Sequence, residues 1–125
     1  MTLSNERLID RVDIRAMLPR YPWLTAGMSE RRHGNMRIGP NGNPLDTLAR
    51  ARFATELGIL GDRVVAPVLV HGNRVVSVTA GHLADRFEAD GLVTREADLF
   101  LSVTTADCLP VFFVDGAERM VGLAH

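Results

Sequence analysis

The chain has 125 residues, 46% of them apolar, and its 14 basic and 15 acidic side chains leave a formal charge of −1. A chain of this length supports one hydrophobic core, so a single domain over residues 1–125 is expected. The near-neutral balance, spread along the sequence, offers no positive field for a phosphate backbone and argues against nucleic acid as a partner.

Ser4 is placed to cap a helix running to about Leu18, with Leu8, Ile9, Val12, Ala16 and Met17 as its apolar stripe. Pro19 and Pro22 end it, and Tyr21 and Trp23 are expected to pin it to the body. From Thr25 to Pro44, Gly27, Gly34, Gly39, Gly42, Asn41, Asn43 and the cluster Arg31-Arg32-His33 read as a long loop, either a solvated linker or a binding element. The stretch NPLDTLARARFATELGILG predicts the clearest helix, with Asn43 as cap, Pro44 at the first position, Asp46 in the first turn and Gly58 as the stop. Leu45, Ala49, Phe53 and Leu57 recur every four residues and predict one buried face, with Arg50 and Arg52 outside it.

After Gly61 the pattern changes. The β-branched runs RVVAPVLV, RVVSVT, GLVT, LFLSVTT, LPVFFV and MVGLA predict strands, separated by HGN, by a polar stretch from Ala80 to Asp90, and by DGAE. Several are apolar on consecutive residues, the pattern of strands covered on both faces. Helices first and strands second give a layered domain mixing the two.

The residues able to carry chemistry are few. All basic residues are arginine, so no lysine is present for a Schiff base or a P-loop. A single cysteine cannot form an internal disulfide, no apolar run approaches the roughly 20 residues that span a bilayer, and MTLSNERLIDR is too charged for a signal peptide. A reducing, cytoplasmic setting without a membrane partner is therefore expected.

His71, Cys108 and His125 each fall where a predicted strand begins or ends. A thiolate and two imidazoles suit zinc, and three protein ligands leave a fourth position open, as in catalytic rather than structural sites. Cys108 could alternatively act as a thiolate nucleophile beside a histidine base, but with no CxxC, no HExxH and no close ligand pair, spacing alone favours its packing as a small buried hydrophobe. Asp107, at the edge of an apolar run, needs a partner: it either orients a histidine or caps a turn through its own backbone. His82, in the polar GHLADRFEAD connection, reads as a surface residue.

The segments VLVHGNRVV, ADGLVT, TTADCLPVFFVD and VGLAH resemble, in order and spacing, the motifs of the bacterial YfiH-like family. This family is also called the multicopper polyphenol oxidase or laccase-domain family, and includes the peptidoglycan editing factor and purine nucleoside-processing enzymes. The resemblance runs from about Thr25 to His125, with ADCLPV its most specific part. It implies an α+β fold, a mixed β-sheet sandwich flanked by helices in α/β/β/α layers. It also implies that His71, Cys108 and His125 form a zinc, sometimes copper, site and that Asp107 supports the cysteine.

The family's S-x-R segment falls on Ser29 to Arg31. Its Asn-Arg pair falls on Ala49-Arg50, where the asparagine is lost. The resemblance thus makes Arg31 and Arg50 candidates for phosphate or ribose contacts, which guanidinium geometry suits. Family members continue beyond the last histidine through AGWRG and roughly as much chain again, so an incomplete half of the family fold is expected. The implied activity is that of a zinc-dependent purine nucleoside phosphorylase or adenosine deaminase acting on a purine nucleoside and phosphate. The alternatives are a cysteine-type hydrolase editing cell-wall precursors and an inactive remnant. Four histidines are few for a blue-copper electron route with further copper centres.

Overall fold

The computed structural model describes residues 18–125. The expected N-terminal helix over 4–18 lies outside these except for Leu18, which opens a 3-10 turn, Leu18–Arg20. The helix α1 spans Thr47–Glu56 and begins three residues later than its sequence signals suggest. The cap is Asp46, whose Oδ1 accepts the Ala49 backbone N–H at 2.9 Å, while Pro44 pairs with Ile38 in an antiparallel bridge. Proline suits a bridge position that needs no N–H, and the aspartate satisfies one of the orphan donors at the helix start. Gly58 follows at φ 74, the left-handed stop that its sequence position predicts. Of the predicted buried row, Ala49 is buried and Phe53 and Leu57 are half-buried, but Leu45 precedes the helix and is 58% exposed.

All six predicted strand runs contain strand, mostly over shorter spans: β1 Val64–Val65, β2 Val75–Ser77, β3 Gly91–Thr94, β4 Phe100–Leu101, β5 Val111–Asp115 and β6 Met120–Ala124. β1 and β4 pair in parallel as a small sheet. The other four form a mixed sheet in the order β2-β3-β6-β5, with β2 and β3 parallel and the other pairs antiparallel. β5 and β6 make a hairpin over the DGAE turn, where Asp115 Oδ1 accepts the Ala117 and Glu118 N–H groups. The domain is α+β, as expected, with two sheets and a single α-helix among the described residues.

Register decides which residues meet. Val76, Leu92, Leu123 and Phe112 lie in one row across the larger sheet and share a face. That face looks into the core, where Val65, Val78, Ala89, Leu92 and Leu99 cluster and Val76, Leu83, Phe87 and Leu101 pack against them. The opposite face carries Val75, Val111 and Phe113, which are 61%, 43% and 55% exposed. Cover on both faces was expected from the consecutive apolar residues, and this face lacks it because no described element packs there.

The Arg31-Arg32-His33 cluster fastens the long loop to α1. It forms a 3-10 turn in which Arg32 and His33 both bind Glu56, with His33 Nε2 2.6 Å from the carboxylate. His33 is buried and meets the Phe53 ring edge-on at 5.0 Å between centroids. Its Nδ1 accepts the Glu30 N–H, so Nε2 carries the proton given to Glu56.

Candidate metal centre

The partners Val75, Gly91, Ala124 and Val111 form a row at one end of the larger sheet. Just beyond that row lie His71, four residues before Val75, Asp90, next to Gly91, His125, next to Ala124, and Cys108, three residues before Val111. Residues far apart in sequence therefore share one sheet end, because parallel and antiparallel pairing bring the starts of β2, β3 and β5 and the finish of β6 to the same edge.

One ligand atom from each of His71, Cys108 and His125 lies within 4.8 Å of the others. The imidazole centroids of His71 and His125 are 5.0 Å apart. His71 and Cys108 are exposed, whereas the His125 side chain is 7% exposed. A tetrahedral zinc ion holds nitrogen and sulfur donors about 3.5 Å apart, so ligand atoms within 4.8 Å of one another need to close by at most about 1.3 Å to share an ion. The donor set and its three-point convergence fit such an ion and leave a fourth position for another group.

Asp90 lies behind the histidines, with its side chain 3% exposed. Its carboxylate accepts N–H groups from Val70, His71 and Gly72 at 3.2, 2.9 and 2.9 Å and faces His125 Nδ1 at 3.1 Å. Burial by itself would raise its pKa. The hydrogen bonds from Gly72 and Val70, then those from His125 and His71, outweigh that effect and hold the carboxyl below its ordinary range. The three successive amides make a concave anion cradle in the backbone. Forming it places His71 at φ 58, a left-handed conformation that costs a non-glycine residue on the order of 1–2 kcal/mol.

Asp107, the acid expected beside the thiol, is exposed and makes no hydrogen bond to either histidine among the described residues. The contact with a histidine belongs to Asp90 instead. Sequence reasoning passed over Asp90, although the argument applied to Asp107 holds more strongly for it: a carboxylate between Ala89 and Gly91 at the start of a buried strand demands partners. His82 lies away from the cluster, packs on Phe87 and accepts the Thr79 N–H.

Arg50 projects from α1 with most of its surface buried. It donates to the Met36 carbonyl and, at 2.7 Å, to Ser102 Oγ just beyond β4. Burial draws its pKa down from the ordinary value, and no carboxylate among the described residues pairs with it. Arg50, Ser102, His71, Cys108 and His125 all open onto one wide groove. Arg31 is itself exposed, at the start of the 3-10 turn, and does not line that groove.

Residues 28–125 match the family described as multi-copper polyphenol oxidoreductase laccase. The chain belongs to this family. It is similar to a purine nucleoside phosphorylase of Mycobacterium tuberculosis, 41% identical over 76 residues, which are 61% of this chain and 30% of the relative. A purine nucleoside phosphorylase of Staphylococcus saprophyticus is 34% identical over 81 residues, 58% of this chain and 31% of the relative. Among solved structures, YlmD from Geobacillus stearothermophilus superposes with a TM-score of 0.65 at 32% identity, covering 73% of this chain and 37% of that one. The YfiH protein of Bacillus licheniformis gives 0.62 at 29% identity over 80% and 42% of the two chains. The family member described here thus has the fold of YlmD and YfiH and spans about a third of the curated relatives it matches. No helix among its described residues is long and apolar enough to cross a membrane.

Proposed function

We propose that this polypeptide carries the metal-binding part of a purine nucleoside phosphorylase, with zinc held by His71, Cys108 and His125. The observation that carries this reading is the convergence of two imidazoles and a thiol within 4.8 Å at one sheet end. The names of the M. tuberculosis and S. saprophyticus relatives support the substrate class, a purine nucleoside with phosphate as co-substrate. When bound, the metal would supply Lewis acidity at the sheet end. Arg50 is the residue for the phosphate: its guanidinium is held rigidly by Met36 and Ser102, lacks a described carboxylate partner, and retains further N–H donors for an anion. Arg31 contributes less, since it stands outside the groove.

In phosphorolysis a phosphate oxygen bonds to the ribose C1′ as the bond to the purine N9 breaks. The electron pair leaves with the base, which takes up a proton. The protein's part is to hold phosphate and nucleoside in line and to stabilise the charge that moves between them.

Incubation of the purified, zinc-loaded protein with adenosine or inosine and phosphate tests this. Release of adenine or hypoxanthine with ribose 1-phosphate is expected. Inosine formed from adenosine without phosphate would instead identify a deaminase. Absence of any product at full zinc occupancy would count against activity in this polypeptide and favour the inactive remnant. Metal analysis of protein loaded from equal zinc and copper(I) decides between the two ions. Turnover of amino-acid-bearing cell-wall precursors without metal would favour the cysteine-hydrolase alternative, in which exposed Cys108 is the nucleophile.

A further inference from the structure

We infer that Asp90 is the positioning residue that assembles the centre, tying the His71 segment and His125 to one buried carboxylate; this rests on the metal-site reading above. Its Oδ1 accepts the His71 N–H at 2.9 Å and lies 3.1 Å from His125 Nδ1, while its Oδ2 accepts the Gly72 and Val70 N–H groups. A carboxylate offers about four lone-pair sites, and this one uses all of them. The backbone of Asp90 adds two more ties: its carbonyl accepts the His125 N–H at 2.7 Å and its N–H donates to the Arg74 carbonyl at 3.1 Å. The loop before β2 and the end of β6 thus meet on one residue beside the first position of β3.

Two consequences follow for the ligands. An ionised carboxylate only accepts, so the proton of a neutral His125 lies on Nδ1, and Nε2 keeps a free lone pair for a metal ion. The left-handed backbone of His71 is held by amides on both sides of its side chain, which aims the imidazole toward His125. Asn at position 90 would keep the shape but only one acceptor oxygen. Its NH2 group would point at N–H donors, so the cradle would lose half of its partners.

The test has two arms. In the metal-free wild-type protein, nitrogen-15 NMR of the His125 ring is expected to show the Nδ1-protonated tautomer, and the His71 and Gly72 amides are expected to exchange more slowly than that of Asn73. In Asp90→Asn, cobalt(II) titration followed by the thiolate-to-metal absorption band is expected to show affinity weakened by roughly 10–100-fold, the usual consequence of losing such a supporting contact. An Nε2-protonated His125 in the wild type, or unchanged cobalt affinity in a folded Asp90→Asn, overturns the inference. Should the variant not fold, the wild-type tautomer decides. Should the wild type bind no cobalt, the metal reading fails, while the NMR arm still judges Asp90.

Discussion

Cys108 is exposed and has no disulfide partner, so its sulfur is free to meet an ion or a substrate. Replacing it by serine removes the softest donor of the three and leaves the two histidines. Loss of a supporting contact alone weakens metal binding by roughly 10–100-fold, so Cys108→Ser is expected to weaken zinc binding by more than about 100-fold. Competition against a chromophoric zinc chelator measures this, and near-wild-type affinity would remove Cys108 from the ligand set. The positions of His71, Cys108 and His125 at strand boundaries were readable from the sequence, because turn residues and apolar runs mark those boundaries locally. The orienting acid was not. Asp107 and Asp90 look alike as residues beside apolar runs, and only burial distinguishes them, the first exposed and the second 4% exposed.

Among the elements, the tie between the Arg31–His33 turn and α1 has a pH dependence of definite sign. Glu56 is held at a pKa of about 2 against an ordinary 4.5, first by the Arg32 hydrogen bonds and then by His33. A group whose folded pKa is depressed adds stability that is complete above its unfolded pKa and fades as pH falls through the folded one. The contribution is therefore full above about pH 5 and lost progressively toward about pH 2. Because the pair is exposed, solvent screens it and the effect is small. Urea midpoints across this range are expected to fall less steeply for Glu56→Gln than for the wild type, and parallel slopes would refute the assignment. The helix itself was legible from its apolar spacing and its glycine stop. Its start was misplaced because Asn43, Pro44 and Asp46 are all good helix-start residues, and the Ile38–Pro44 bridge decides among them.

At the scale of the molecule, the face of the four-stranded sheet that no described element covers is the largest departure from the pattern. Val75, Val111 and Phe113 stand in neighbouring rows with Gly91 and Gly122 between them, leaving a flat apolar surface. Such patches drive association, and β2 and β5 are the edge strands of this sheet among the described residues. Phe113→Thr keeps the β-propensity while removing the most protruding ring, so it is expected to lower both hydrophobic-dye fluorescence and concentration-dependent association in sedimentation velocity. Undiminished association would place the sticky surface elsewhere.

The sequence by itself determined the class of fold and the six strand runs, since apolar periodicity and turn residues act over a few neighbours, and its family motifs, not local spacing, singled out the three candidate ligands. Only the tertiary structure decided that the starts of β2 and β5 and the end of β6 share one edge, that Asp90 binds three amides and an imidazole there, and that Arg50 is half-buried without a described acid. Those outcomes depend on strand order and register, which arise from pairings between residues tens of positions apart and leave no mark in local sequence.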